Sequence, residues 1–237
     1  RGRPGGHIEC SVMSRALLGQ PFDIHTGGVD LIFPHHSNEI AQSESLFGVP
    51  LANYWLHNEL LLIDGQKMSK SLGNIITLDS LIERGFEPLS FRFLTLLTHY
   101  RQKLNFTWEA LEAAQKALER LIELGADWLA KVGDLPAQAG LTGAADPDWE
   151  KKFQEAIFDD LNTSQAIAVL WQMVKDQNIG ESARLATLLR ADNVLGLKFK
   201  EKIQETLKDR RDVPEAVKNL VGVRETERVK KDWLKAD

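Results

Sequence analysis

The chain has 237 residues, 43% of them hydrophobic, with 29 Lys+Arg against 34 Asp+Glu and a net charge of −5. That is enough apolar material for a sizeable core and one or two domains, and the mild acidity leaves any RNA contact to local basic patches. A single cysteine excludes an intrachain disulfide. No apolar run is long enough to span a membrane and no signal peptide opens the chain, so a cytoplasmic protein is expected.

The chain opens on Arg1-Gly2-Arg3-Pro4-Gly5-Gly6, without an initiator Met, and closes on Lys231 to Asp237 inside an apparent helix. Both ends read as cuts within a larger protein. The first 100 or so residues mix short apolar runs with glycine turns, as an α/β domain does. Phe22-Asp23-Ile24-His25 predicts a strand ending at Thr26-Gly27-Gly28. Phe33-Pro34-His35 predicts a helix start with Pro34 at the first helical position. Leu60 to Ile63 predicts a second strand, and Asp64-Gly65 a tight turn into a cationic loop.

From Thr107 the period changes to that of helices. Thr107 is the expected N-cap of a first helix whose stripe is Leu111, Ala114, Leu118, Leu121, Ile122 and Leu129. Gly133 to Pro147 is a Gly/Pro/Ala linker. A second helix carries Trp149, Phe153, Ala156 and Ile157. A third, capped by Thr163, carries Ile167, Leu170, Trp171 and Val174, and Ala183 to Leu197 forms a fourth. These stripes are core faces of a bundle. In the last 40 residues Lys198, Lys200, Lys202, Lys208, Arg210, Arg211 and further cations interleave with acids. A solvated helical surface is the favoured reading there and an RNA-facing one the alternative.

Three features carry chemistry. Lys67-Met68-Ser69-Lys70-Ser71 puts two ammonium groups on a short loop after a strand and turn, where they can sit on a polyphosphate and follow its charge as a bond to phosphorus breaks. This pentapeptide arises by chance in such a chain on the order of once in ten thousand, so a generic Lys/Ser loop does not account for it. Cys10, His35 and Glu39 offer a thiolate, an imidazole and a carboxylate, with His35 and Glu39 at i and i+4 on one helix face. From the residues alone, zinc competes here with a buried thiol plus a surface His/Glu pair. Gly27-Gly28-Val29-Asp30 follows a strand; it fits either close approach of a ligand, with Asp30 on ribose hydroxyls, or an ordinary strand-to-helix turn.

Together these stretches resemble one family, the cysteinyl-tRNA synthetases of class I. The resemblance is carried by Gly2 to Ser11, Phe22 to His36, Asn38 to Gln42, Tyr54 to Asn58 and the signature loop Lys67 to Asn74, then by Phe158 to Thr163 and Lys231 to Asp237. It covers nearly the whole chain, most specifically the first 75 residues. It implies zinc on Cys10, His35 and Glu39, and ATP (with Mg) contacted by the Gly27-Gly28 backbone, Asp30, Lys67 and Lys70, the two lysines being catalytic. It implies cysteine and tRNA(Cys) as partners, no membrane, and a monomer. Zinc has a reason in such a family: cysteine differs from serine by one atom, a pocket alone discriminates on the order of a hundredfold, and a metal ligates thiolate far better than hydroxyl.

The family's additional cysteine ligand and its His-Ile-Gly-His motif are absent here, and Gly6 stands where the family has Trp. The implied architecture is α/β followed by all-α: the second half of a Rossmann-type class I catalytic domain over residues 1–75, a connecting α/β-helical segment over 76–106, a helical bundle over 107–210, and the start of an anticodon-proximal region over 211–237. Two other readings share the site: a cysteine:amino-sugar ligase of mycothiol synthesis, against which Asp159 to Thr163 and the charged end speak, and a non-catalytic zinc or RNA-binding module. The 237 residues alone are expected to be inactive.

Overall fold

The computed structural model describes residues 5–133, 145–211 and 215–229. Most of the Gly133–Pro147 linker, the first residues of the Gly2–Ser11 match and the terminal Lys231–Asp237 motif lie outside the described residues. The chain divides into two compact units, residues 1–115 with 155–167, and residues 116–154 with 168–237.

The first unit begins with α1 (His7–Leu18), β1 (Phe22–Gly28) and α2 (Ser37–Phe47), followed by β2 (Ala52–Asn58). β1 and β2 pair in parallel, with His25 opposite Trp55, Gly27 opposite His57 and Gly28 opposite Asn58. Parallel strands need a helical crossover, and α2 supplies it. The predicted strand at Phe22 therefore runs on through both glycines. Between β1 and α2 the chain makes a 3-10 turn (Val29–Leu31) and a wider π-type turn (Ile32–His36). Phe33 is extended there (φ −135°, ψ 132°), so helical backbone resumes at Pro34, as the Pro signal predicts, while α2 proper starts at Ser37.

The second sheet of this unit is built from β3 (Leu61–Ile63), β4 (Gln66–Lys67) and β5 (Leu104–Phe106). β3 lies between an antiparallel β4 and a parallel β5. Asp64 and Gly65 both have positive φ (49° and 75°), the signature of the two-residue turn that matches strand twist. Helices α3 (Leu78–Glu83) and α4 (Pro88–Leu96) lie between β4 and β5 in the chain. Thr77 caps α3 in a reciprocal box with Ser80, and Pro88 opens α4. Leu51, Leu81, Phe93, Phe106 and Leu111 are among the fully buried side chains of this unit.

The long helix α5 (Trp108–Val132) starts where Thr107 predicts it: Ala110 N–H donates to Thr107 Oγ1 at 3.0 Å. All six positions of its predicted stripe are buried. α6 (Pro147–Phe158) is capped by Asp146, which accepts from the Trp149 N–H. In α7 (Thr163–Lys175) the cap is Asn162, whose Oδ1 accepts from the Gln165 N–H at 3.1 Å. This corrects the expectation of a Thr163 cap: the Thr163 hydroxyl instead donates to the Leu96 carbonyl at 2.9 Å.

In the second unit α8 (Glu181–Leu195) ends on Gly196 in the left-handed region, and the Asp192 carboxylate accepts from the Leu197 and Phe199 N–H groups ahead of α9 (Phe199–Arg211). Leu118, Leu121, Leu170, Met173, Leu185, Leu188 and Ile203 are among its buried apolar residues. α10 (Glu215–Val229) exposes Leu220, Val221 and Val223.

Candidate metal centre and lysine loop

Strand alternation builds the first site. Side chains two apart share a face, so His25 and Gly27 of β1 meet Trp55 and His57 of β2 on one side of the sheet. Glu39 projects from the first turn of α2 and is fully buried. His25 Nε2 lies 2.5 Å from Glu39 Oε2, and His35 Nε2 lies 2.7 Å from Glu39 Oε1. Only the first contact is a hydrogen bond: Glu39 Oε1 is buried without a hydrogen-bond partner although a ring nitrogen is beside it. The buried carboxylate is thus set between two imidazoles, each within 2.7 Å of one of its oxygens.

The predicted donors converge. Ligand atoms of Cys10, His35 and Glu39 all lie within 4.8 Å of one another. Cys10 reaches the cluster from α1. Its thiol pKa is pushed up by burial first, then by the Glu39 and Glu9 charges. The donor set is soft thiolate, imidazole and carboxylate, which suits zinc in preference to magnesium or calcium.

The structure also shows a second group that the sequence reading did not single out. His25, His36 and Glu39 bring ligand atoms within the same 4.8 Å, so Glu39 is common to both sets. His36 Nδ1 is 2.8 Å from His57 Nε2, and the His25, His36, His57 and Trp55 rings pack at centroid separations of 4.5 to 6.3 Å. Burial, then the neighbouring His25, lowers the His36 pKa and so favours the neutral ring. The available signal was the period-2 spacing of His25 with Gly27 and of Trp55 with His57. Gly27 has a packing reason: a Cβ there would sit 2.6 Å from His36 Cε1. At Gly28 a Cβ would meet the Asp30 carboxylate at 2.4 Å, and Asp30 itself is exposed.

The lysine loop is built differently. Lys67 ends β4, and Gly73 N–H closes a turn on the Lys70 carbonyl at 3.2 Å. Asn74 holds both sides of the loop: its Oδ1 accepts from the Ser69 N–H at 2.8 Å and its Nδ2 donates to the Lys67 carbonyl at 3.2 Å. Ser69 Oγ contacts Ser71 Oγ and accepts from the Leu72 N–H. Lys67 and Lys70 are exposed, and among the described residues no carboxylate lies within 4.0 Å of either ammonium. A cleft of about 490 Å³ opens beyond the carboxyl ends of β1 and β2, lined by Thr26, Asn58, Glu59, His99, Tyr100 and Thr163 among others. The predicted ATP contacts Gly27, Gly28, Asp30, Lys67 and Lys70 do not line it.

Comparison with known proteins adds the following. Residues 1–116 match the family model for the class I (C) tRNA synthetase catalytic domain, and residues 152–200 match the DALR domain. The whole chain is 46% identical to cysteine–tRNA ligase 1 of Burkholderia lata, covering 47% of that protein. It is 43% identical to cysteine–tRNA ligase of Chlamydia caviae, covering 50% of it, and 41% identical to that of Synechococcus elongatus, covering 52%. The chain thus spans about half the length of the curated relatives it matches. A solved ternary complex of LeuRS, tRNA and LeuAMS from Agrobacterium radiobacter K84 superposes with a TM-score of 0.57 at 19% identity, over 80% of this chain and 27% of that one, a likeness of fold alone. No helix among the described residues is long and apolar enough to cross a membrane. The chain thus carries a class I tRNA synthetase catalytic-domain match at its start and a DALR match after it, and along its full length it is similar to class I tRNA synthetases of one name.

Proposed function

We propose that the chain serves a cysteine–tRNA ligase, in which cysteine and ATP give cysteinyl-adenylate and pyrophosphate, and the cysteinyl group then passes to the terminal ribose of tRNA(Cys). The observation that carries this reading is the Cys10/His35/Glu39 cluster, its three ligand atoms within 4.8 Å of one another around a fully buried carboxylate. Identity above 40% to proteins named cysteine–tRNA ligase supports it over the whole chain.

In this reading Cys10, His35 and Glu39 hold zinc, and His25 orients Glu39 by bonding its other oxygen. Zinc held there supplies a soft Lewis acid that ligates a thiolate and leaves a serine hydroxyl unbound at neutral pH. The Gly27-Gly28 backbone and Asp30 hold the ATP ribose. Lys67 and Lys70, without an ion pair among the described residues, lie over the phosphates with Mg and stabilise pyrophosphate as it leaves. A cytoplasmic monomer goes with the same reading.

The test is cysteine-dependent pyrophosphate exchange by the protein encoded by the whole reading frame, alongside the 237 residues alone. Exchange with cysteine and none with serine is expected for the former, and no exchange for the latter. Equal activation of serine, or no zinc in the purified protein by elemental analysis, removes the reading.

A further inference from the structure

The turn between α6 and α7 is unusual in its backbone and in its partners. Asp160 and Leu161 both occupy the left-handed region, with φ of 54° and 55°. Non-glycine residues hold that conformation at a cost, and two in succession are maintained only where the surroundings fix them. Here the surroundings are explicit. Asp160 Oδ2 accepts from Arg101 Nε at 2.5 Å, and Oδ1 accepts from the Tyr100 hydroxyl at 2.6 Å and from Arg101 NH2 at 3.3 Å. Thr163, three residues on, donates to the Leu96 carbonyl at the end of α4.

The segment thus gripped leads into the scaffold of the lysine loop. The Tyr100 carbonyl accepts from the Glu59 N–H at 2.8 Å, at the exit of β2. Residues 104–106 form β5, on which β3 lies in parallel register, Leu61 to Leu104 and Ile63 to Phe106. The turn that reverses β3 into β4 is bonded to the same strand: Gly65 N–H donates to Asn105 Oδ1 at 2.7 Å and Asp64 N–H to the Phe106 carbonyl at 3.0 Å. β4 then delivers Lys67. All of these residues belong to the first compact unit.

We propose that Asp160 is a positioning residue for the lysine loop: by holding Tyr100 and Arg101 it fixes the strand on which the Lys67–Lys70 hairpin hangs. The inference rests on the lysines having the role given above. Asp160 touches no reacting group in this account. It acts through the Tyr100–Phe106 segment, so its loss lets the ammonium groups drift from the phosphates without disturbing the Glu39 cluster.

The experiment uses Asp160→Asn and Tyr100→Phe in the protein encoded by the whole reading frame, read in two ways. Amide hydrogen exchange is expected to quicken at residues 61–74 in both variants and to stay unchanged at residues 37–47 of α2. In pyrophosphate exchange kcat should fall about tenfold with KM for the amino acid unchanged, the scale of a small misplacement. In a Lys67→Ala background Asp160→Asn should cost less than about twofold more, because both changes remove the same contact. Arg210→Ala, which breaks an equally exposed pair with Asp127 in the other unit, should alter neither readout. Unchanged exchange at 61–74, or fully additive losses with Lys67→Ala, overturns the proposal. If the wild-type protein activates no amino acid, the functional reading fails, and the hydrogen-exchange result alone decides whether Asp160 holds the hairpin. Tyr100→Phe keeps the test decisive if Asp160→Asn does not fold.

Discussion

In the proposed reading Glu39 and Lys70 represent two ways of presenting charge to a substrate. Glu39 is fully buried, its carboxylate held between His25 and His35 and its helix pressed on a sheet face lined with rings. Lys70 stands exposed on a loop held internally by Asn74 and a serine pair, beyond the hairpin that joins it to the sheet. A buried carboxylate must be matched by a cation or by hydrogen-bond donors, so its position is set by the groups around it. An exposed ammonium carries no such penalty and can move to meet a phosphate. The first arrangement suits selection and the second suits a charge that develops during reaction.

The sharpest way to break this contrast is at the lysines. In the protein encoded by the whole reading frame, Lys67→Ala or Lys70→Ala should lower the rate of cysteine-dependent pyrophosphate exchange by about 10²–10³, with zinc content unchanged. A rate close to wild type removes the loop from the mechanism. Glu39→Gln should act in the opposite sense, lowering zinc affinity by about 10- to 100-fold and cysteine affinity with it, while ATP affinity holds within a few-fold. Elemental analysis and ATP titration check this. Parallel losses of ATP and cysteine affinity would make Glu39 a structural residue.

A smaller effect separates the two glycines at the end of β1. Gly27→Ala forces a Cβ against the His36 ring, which is wedged among other rings, and should cost about 1–3 kcal/mol in denaturant unfolding. Gly28→Ala meets only the movable end of the exposed Asp30 side chain and should cost less. Equal midpoints would show that the ring stack gives way.

The smallest expected effect is at Asp160. Hydrogen bonds from Arg101 and then Tyr100 lower its pKa from 3.8 to about 2, with His99 Nε2 4.0 Å away. A carboxylate whose folded value is depressed contributes stability that is present above its unfolded value and lost as pH falls through the folded one. Between about pH 4 and pH 2 the wild-type chain should therefore lose more stability than Asp160→Asn, as read from urea midpoints. Parallel slopes would show that solvent screening at this half-exposed site removes the effect.

Much of this architecture was legible in the sequence because local physics decided it. The Thr107 cap, the α5 stripe and the strand at Phe22 each follow from a period or a cap that tertiary packing reinforces. The convergence of Cys10, His35 and Glu39 was legible only in part. The i,i+4 pair follows from helix geometry, but Cys10 arrives from α1, and nothing local says that α1 packs there. The histidine and tryptophan stack was hidden for the same reason: it needs the parallel register of two strands separated by a helix. The Asn162 cap was missed because two adjacent residues of capping type compete, and the tertiary acceptor at Leu96 draws the Thr163 hydroxyl away from the helix.

The two-residue reversal at Asp64 and Gly65 makes length, more than composition, the guarded property of this hairpin. Asn or Gly in place of Asp64 keeps the same backbone. One inserted residue would shift the pairing of Lys67 with Leu62 by a single step and turn the lysine to the other face of the sheet. Among homologous chains this stretch should tolerate changes of letter and refuse changes of count.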